Sequence, residues 1–311
     1  MFVIRHKNFF FALSGILVVV SLVAVFVWGL NFGVDFKGGS SVDVSYATST
    51  PPARTIIEAA LTTAGFEGVL VRQAGENGIS IRLPALAEGD RTRLEGALIS
   101  AGGTFQIDRL SSVGPSVGQE LRRKTIIAIS LTVLMIILYV AFVFRKVSQS
   151  LGGGKKVGVS SWIYGLVAIL TLLHDIIIPT GVFAIFGHFS GLEADTLFVV
   201  ALLTILGLSV NDTIVVFDRI RENLRRNQER HVDEGFDQTV GKSLEQTYVR
   251  SFNTSFTVIL VLLVLFFLGG PTIHSFILTL LVGQVAGTYS SIFIASPMLV
   301  SIAGRKEKNK R

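Results

Sequence analysis

The chain has 311 residues, half of them hydrophobic and 16% charged, with a mean hydropathy of +0.61 and a formal net charge of +6. This composition belongs to multi-spanning membrane proteins and argues against a soluble enzyme. With no cysteine and five histidines in no HExxH or paired-ligand spacing, neither a metal nor another cofactor is expected, and the basic residues sit at the ends of apolar runs rather than along a nucleic-acid groove.

Residues 1–8 carry Arg5 and Lys7 and lead into an apolar run over 9–30. That run exceeds a signal h-region of about 7 to 15 residues and lacks a small-x-small cleavage site, so it reads as a retained first transmembrane helix. Residues 31–124 form the one long polar section. Alternation predicts a strand over 40–47, and two prolines, spaced apolar residues and a terminal glycine predict a helix over 51–65. Strands over 67–73 and 79–83 flank the turn AGENG, followed by a helix over 88–101 and a strand over 103–110. The order βαββαβ predicts an α+β ferredoxin-like domain with four strands and helices on one face. It shows no paired nucleophile and base and no phosphate-cradling loop, and reads as a docking module.

Five further apolar stretches, at 125–144, 161–186, 195–217, 251–268 and 273–302, bring the expected transmembrane helices to six. Arg145, Lys146, Lys155 and Lys156 lie in the loop 145–160, and Arg305, Lys306, Lys308, Lys310 and Arg311 in the tail 303–311, whereas 187–194 and 269–272 contain no Lys or Arg. By the positive-inside rule both termini and the segment 218–250 are cytoplasmic, and the sheet domain is extracytoplasmic. The expected architecture is a polytopic α-helical membrane protein with one ferredoxin-like domain outside.

Asp212 and Asn211 interrupt the apolar run of the fourth helix. A charge at the centre of a spanning helix costs about 2.5 to 3.5 kcal/mol, so a retained one faces a partner helix or a water path. Asp212 lies five residues inside Phe217, where the run ends, which is about 7 to 8 Å within the hydrocarbon. It is the candidate for a group whose charge changes inside the membrane, the structural alternative being a tolerated acid near a helix end. Asn211 points about 100° away and suits either a direct role or a hydrogen bond to a neighbouring helix. Asp175, beside His174, lies midway along the third helix, and Pro179 four residues on deprives the Asp175 carbonyl of its helical partner. His174 suits a proton relay or a hydrogen-bonded structural role. Arg250 opens the fifth helix, where it suits either an ion pair with Asp212 or simple topological anchoring; Thr254, Ser255 and Thr257 on the next turn suit helix contacts, a water path or plain packing. Arg219, Arg221 and Glu222 read as anchors at the membrane edge. Gly38 and Gly39 are a hinge candidate with Asp35 and Lys37 solvated, and His274, Gln284 and Tyr289 are unranked candidates for the bundle interior.

NFGVDFKGGSSVDV after the first helix, VGPSVGQEL before the second, LLHDIIIP in the third, LGLSVNDTIVVFDRIREN in the fourth and GTYSSIFIASP in the sixth together resemble the SecF family, smaller auxiliary subunits of the bacterial protein-export translocase. The resemblance covers most of the chain. It implies a SecD partner in a pseudo-symmetric complex, the SecYEG channel with accessory subunits such as YajC, a preprotein substrate and an inner-membrane location. It also implies membership of the resistance-nodulation-division superfamily, use of the proton-motive force with no other cofactor, and a functional arginine at Arg250. The glycine- and lysine-rich loop SQSLGGGKKVG, and Leu208 where members often carry an aromatic residue, depart from the family pattern. Two other readings stay open: half of a proton-driven small-molecule exporter, and a scaffold in which Asp212 and Asp175 only hold helices together.

Overall fold

A single helical turn, α1 (Phe2–Arg5), leads into α2 (Lys7–Trp28), whose apolar sequence satisfies its backbone amides internally, as a lipid-embedded segment must. The structure, a computed structural model, describes residues 2–47, 51–74, 77–87, 89–144, 161–232 and 234–308. The loop 145–160 with its four basic residues, two turn residues at 75–76 and the end of the tail lie outside the described residues.

After α2 a short helix, α3 (Val34–Lys37), precedes β1 (Gly39–Tyr46), α4 (Arg54–Thr63), β2 (Leu70–Ala74), β3 (Gly78–Leu83), α5 (Asp90–Ala101) and β4 (Phe105–Val113). The strands form an antiparallel sheet in the order β2-β3-β1-β4, the arrangement expected of βαββαβ. Alternation along β1 buries Ser40, Val42, Val44 and Tyr46. Val42 pairs with Ile81 on β3 and Leu110 on β4, and the register shifts between Asp43 and Val44 on the β4 side. On the buried face Ile57 and Leu61 of α4 and Leu94 and Leu98 of α5 close the core against Val42, Val44, Ile79 and Ile81. The other face is polar: Ser80 donates to Asp43 Oδ1 (2.7 Å) and Ser45 to Asp108 Oδ1 (2.9 Å).

Among the described residues six helices are long and apolar enough to cross a membrane. Beyond α2 they are α6 (Pro115–Phe144), α7 (Ser161–Ser190), α8 (Thr196–Glu229), α9 (Phe236–Leu268) and α10 (Pro271–Ser290), the last continued by a π-helical turn (Ser291–Ala295) and α11 (Ser296–Lys308). Three boundaries differ from expectation. α6 starts at Pro115, not at 125, because proline is favoured at a helix start and nothing after it breaks the helix, so the sheet domain ends at Val113 on a helical stalk. The segment 218–250, read from the sequence only as cytoplasmic and without elements, is a helical hairpin. Arg226 pairs with Glu222 (2.7 Å) and Arg225 with Glu229 (2.8 Å) at helical spacing, while Ile220 and Leu224 of α8 bury against Val240 and Leu244 of α9. The sixth span is interrupted by its π turn, a feature often found at functional positions.

Within the bundle α7, α8 and α10 are the buried helices, and α2, α6 and α9 show mostly apolar outer surface. One apolar cluster, around Tyr164, Phe217, Ile220 and Leu299, fills the end away from the sheet domain. A second, around Phe183, Phe198, Ile205 and Leu280, fills the near end and takes in Phe36 of α3, so the root of the sheet domain is part of the membrane core.

Candidate functional site

Asp212 is buried on α8, and its Oδ2 accepts a hydrogen bond from Ser255 Oγ of α9 at 3.0 Å. Buried hydroxyls of Thr213 and Ser251 lie one residue along α8 and one turn back along α9, and neither has a hydrogen-bond partner among the described residues. The result is a buried carboxylate between α8 and α9, held by the Ser255 hydroxyl. The candidate Arg250–Asp212 pair does not form. Ser255 turns inward, and Arg250, five residues earlier, is rotated about 140° from it, so it is exposed and has no ion pair among the described residues. Thr254 and Thr257 are exposed and donate to carbonyls one turn back. Asn211 and Leu208 are exposed, and Asn211 bonds no other helix among the described residues.

Asp175 is completely buried at mid-bundle. Its Oδ1 accepts from His174 Nδ1 at 2.8 Å, and its Oδ2 accepts from Ser290 Oγ of α10 at 2.8 Å and from Ser209 Oγ of α8. The ring of Tyr289 stacks on His174 with centroids 6.2 Å apart, and its hydroxyl donates to the Phe10 carbonyl of α2 at 3.0 Å. One acid thus ties three helices together. Ser255 is one of the hydroxyls the sequence singles out beside Arg250, whereas Ser209 and Ser290 are not singled out as ligands of Asp175, although Ser209 lies three residues from Asp212 and hence on its helix face. His274 donates to the Phe266 carbonyl at 2.7 Å, and Gln284 is buried; neither joins this network. At the far end Arg219 pairs with Glu222 (2.5 Å) and donates to Gln246 (2.7 Å), which also accepts from Asn223 (2.8 Å), while Arg221 lies 3.8 Å from Asp218. The two bonds to Gln246 join α8 to α9.

The sheet domain is bound to the start of α8. Asp35, expected to be solvated, is instead buried, because its Oδ2 accepts from both the backbone N–H (2.9 Å) and the hydroxyl (2.7 Å) of Thr196; Lys37 is exposed. The Gly33 and Ala194 amides exchange bonds with the Ala194 and Asn31 carbonyls, at 2.9 and 2.8 Å. Arg82 pairs with Glu193, Arg109 lies 3.6 Å from Asp195, and Arg72 donates to the Gly191 carbonyl at 3.4 Å. Burial, then the like charge of Arg72, pushes the Arg82 guanidinium down to about 10. A cavity of about 550 Å³ remains between this loop and the polar face of the sheet. Gly38 and Gly39 have φ of +79° and +112°, and a Cβ would come within 2.9 Å of Pro115 Cα and of the Leu83 carbonyl respectively, so the pair forms a closely packed corner.

Fold and site together define a multi-pass membrane protein with carboxylates inside its helix bundle and one small sheet domain docked on it. Residues 94–151 and 159–305 match the family described as protein export membrane protein SecD/SecF, C-terminal, and residues 23–50 match the SecD/SecF GG motif. Protein translocase subunit SecF of Thermobaculum terrenum is 43% identical over 96% of this chain and 93% of its own length. The subunit of that name from Haemophilus influenzae is 36% identical over 96% and 84%. The crystal structure of SecDF from Thermus thermophilus, a translocon-associated membrane protein, superposes with a TM-score of 0.79 at 31% identity over 97% of this chain. This chain spans 38% of that longer one. The chain belongs to the SecD/SecF family of protein export membrane proteins, in its SecF branch.

Proposed function

We propose that the chain is the auxiliary subunit which, with SecD, converts proton entry into movement that favours preprotein export through SecYEG and accessory subunits such as YajC. In this reading it sits in the bacterial inner membrane with both termini in the cytoplasm and the sheet domain outside. It is not an enzyme, and it uses the proton gradient in place of a cofactor. The observation that carries the reading is that α8 bears Asp212 in its interior and is gripped at its other end by the sheet domain through Asp35 and Thr196. One proton crossing delivers about 2.3 kcal/mol per 100 mV, similar to the cost of holding one carboxylate in the bilayer. A change in the charge of Asp212 therefore has both an energy supply and a mechanical connection to the domain. Gly38 and Gly39, packed against Pro115 and Leu83, are the corner about which the domain would turn.

The test is Asp212→Asn in vesicles containing the chain, SecD and the channel. The complex is expected to assemble and to lose the stimulation of export by an imposed proton-motive force; full stimulation refutes the reading, and failure to assemble favours the scaffold.

A further inference from the structure

The His174–Asp175 pair takes no part in the coupling just described, and its geometry leaves one position open. Asp175 accepts from Ser290 and Ser209 on one oxygen, and its other oxygen lies 2.8 Å from His174 Nδ1, which is the donor when the carboxylate is ionised. The second ring nitrogen, Nε2, is buried and has no hydrogen-bond partner among the described residues. With a neutral ring and an ionised carboxylate the pair would carry one negative charge in a low-dielectric interior, which is unfavourable without a counter-charge. Among the described residues Asp175 has no Lys or Arg partner. One proton on Nε2 makes the pair an imidazolium and a carboxylate, and its net charge becomes zero.

We propose that His174–Asp175 is a second proton-holding station, separate from Asp212, that takes up one proton from water at His174 Nε2 and releases it from the same atom. No other bond is made or broken. Ser209 and Ser290 hold the carboxylate in both states. Of the titratable groups on the helices packed against α7, Tyr289 of α10 lies across the imidazole and Asp212 follows Ser209 by one turn of α8; α10 also carries His274 in its first turn, α6 carries Glu120, Arg122, Arg123 and Lys124 in its first turns, and α8 carries the charged residues from Asp218 to Glu229 beyond Asp212. α6 also offers Tyr139, which is exposed, and α2 has none between Lys7 and its end. The charged residues of α11 lie in its last turns. Because Ser209 and Asp212 share a face of α8, the grip of Asp175 on Ser209 bears on the turn that carries Asp212. A Cβ on Gly287 of α10 would stand 3.1 Å from Ser209 Cβ, so α10 closes over this contact.

This assignment deepens the proton-coupling reading and rests on it only for its consequence in transport, so the test reads proton binding by itself. The chain with SecD is placed in lipid nanodiscs, and pH-difference infrared spectra are recorded. The expected result is an imidazole transition that persists in Asp212→Asn and is lost in His174→Gln. Ser290→Ala, which keeps both titratable groups, moves the transition without removing it. Spectra of His174→Gln that superimpose on those of the unmodified chain overturn the proposal, as does a transition that vanishes in Asp212→Asn or stays unmoved in Ser290→Ala. Export assays of Asp212→Asn stand apart from these outcomes and test only the broader reading.

Discussion

Replacing Glu193 by Gln separates the sheet domain's docking from its folding. Arg82 and Glu193 are 18% and 22% exposed, between the exposed pairs worth about 0 to 1 kcal/mol and the buried pairs whose breaking costs about 3 to 5 kcal/mol. A loss of about 2 kcal/mol is therefore expected, equivalent to about a 30-fold shift in the docking equilibrium. At about 10, the depressed value for Arg82 still leaves it cationic near neutral pH, so the variant strands a charge instead of losing a proton. The amides of Gly33 and Ala194, bonded across the junction, report on undocking by hydrogen exchange in nanodiscs. They should exchange about 30-fold faster in Glu193→Gln, and adding Arg82→Met should restore much of the protection. Arg109→Gln removes a longer and more exposed contact (3.6 Å, 31% and 14%) and should cost no more than about 1 kcal/mol. Protection within about threefold of the unmodified chain in Glu193→Gln would show that the pair does not hold the domain.

Three further outcomes follow from contacts described above. Ser255→Ala should lower thermal stability by about 1.5 to 3 kcal/mol if Asp212 is ionised and be nearly silent in an Asp212→Ala background; two additive losses in melting experiments would mean the 3.0 Å bond contributes little. Gly181→Val should destabilise the bundle by at least about 1 to 3 kcal/mol, because a Cβ there overlaps Ser21 of α2, whereas Gly165→Val, which meets nothing, should leave the melting temperature nearly unchanged. Leu94→Ala in the core of the sheet domain should cost about 2 to 5 kcal/mol, against less than about 0.5 kcal/mol for the exposed Ile56→Ala, both read from denaturation of the full chain.

The membrane character of the chain, its six long apolar helices and the βαββαβ order were legible in the sequence because they depend on local periodicity and length. Alternation along β1 fixes which side chains turn inward whatever lies beyond the strand, and apolar runs must become helices once water is excluded. Asp212 and Asp175 stood out for the same reason: a carboxylate in such a run is costly wherever the run goes. What these acids touch was decided only by the packing of helices distant in sequence. Ser255 lies 43 residues from Asp212, and Ser290 lies 115 residues from Asp175. Serine also has an ordinary packing role in membrane helices, so its type gives no signal of its partner. Charge, depth and the family resemblance make Arg250 a candidate partner for Asp212, and the rotation of α9 sets it on the outside. Asp35 was assigned to solvent because nothing in a short polar stretch announces that the unpaired amide at the start of a remote helix will close over it.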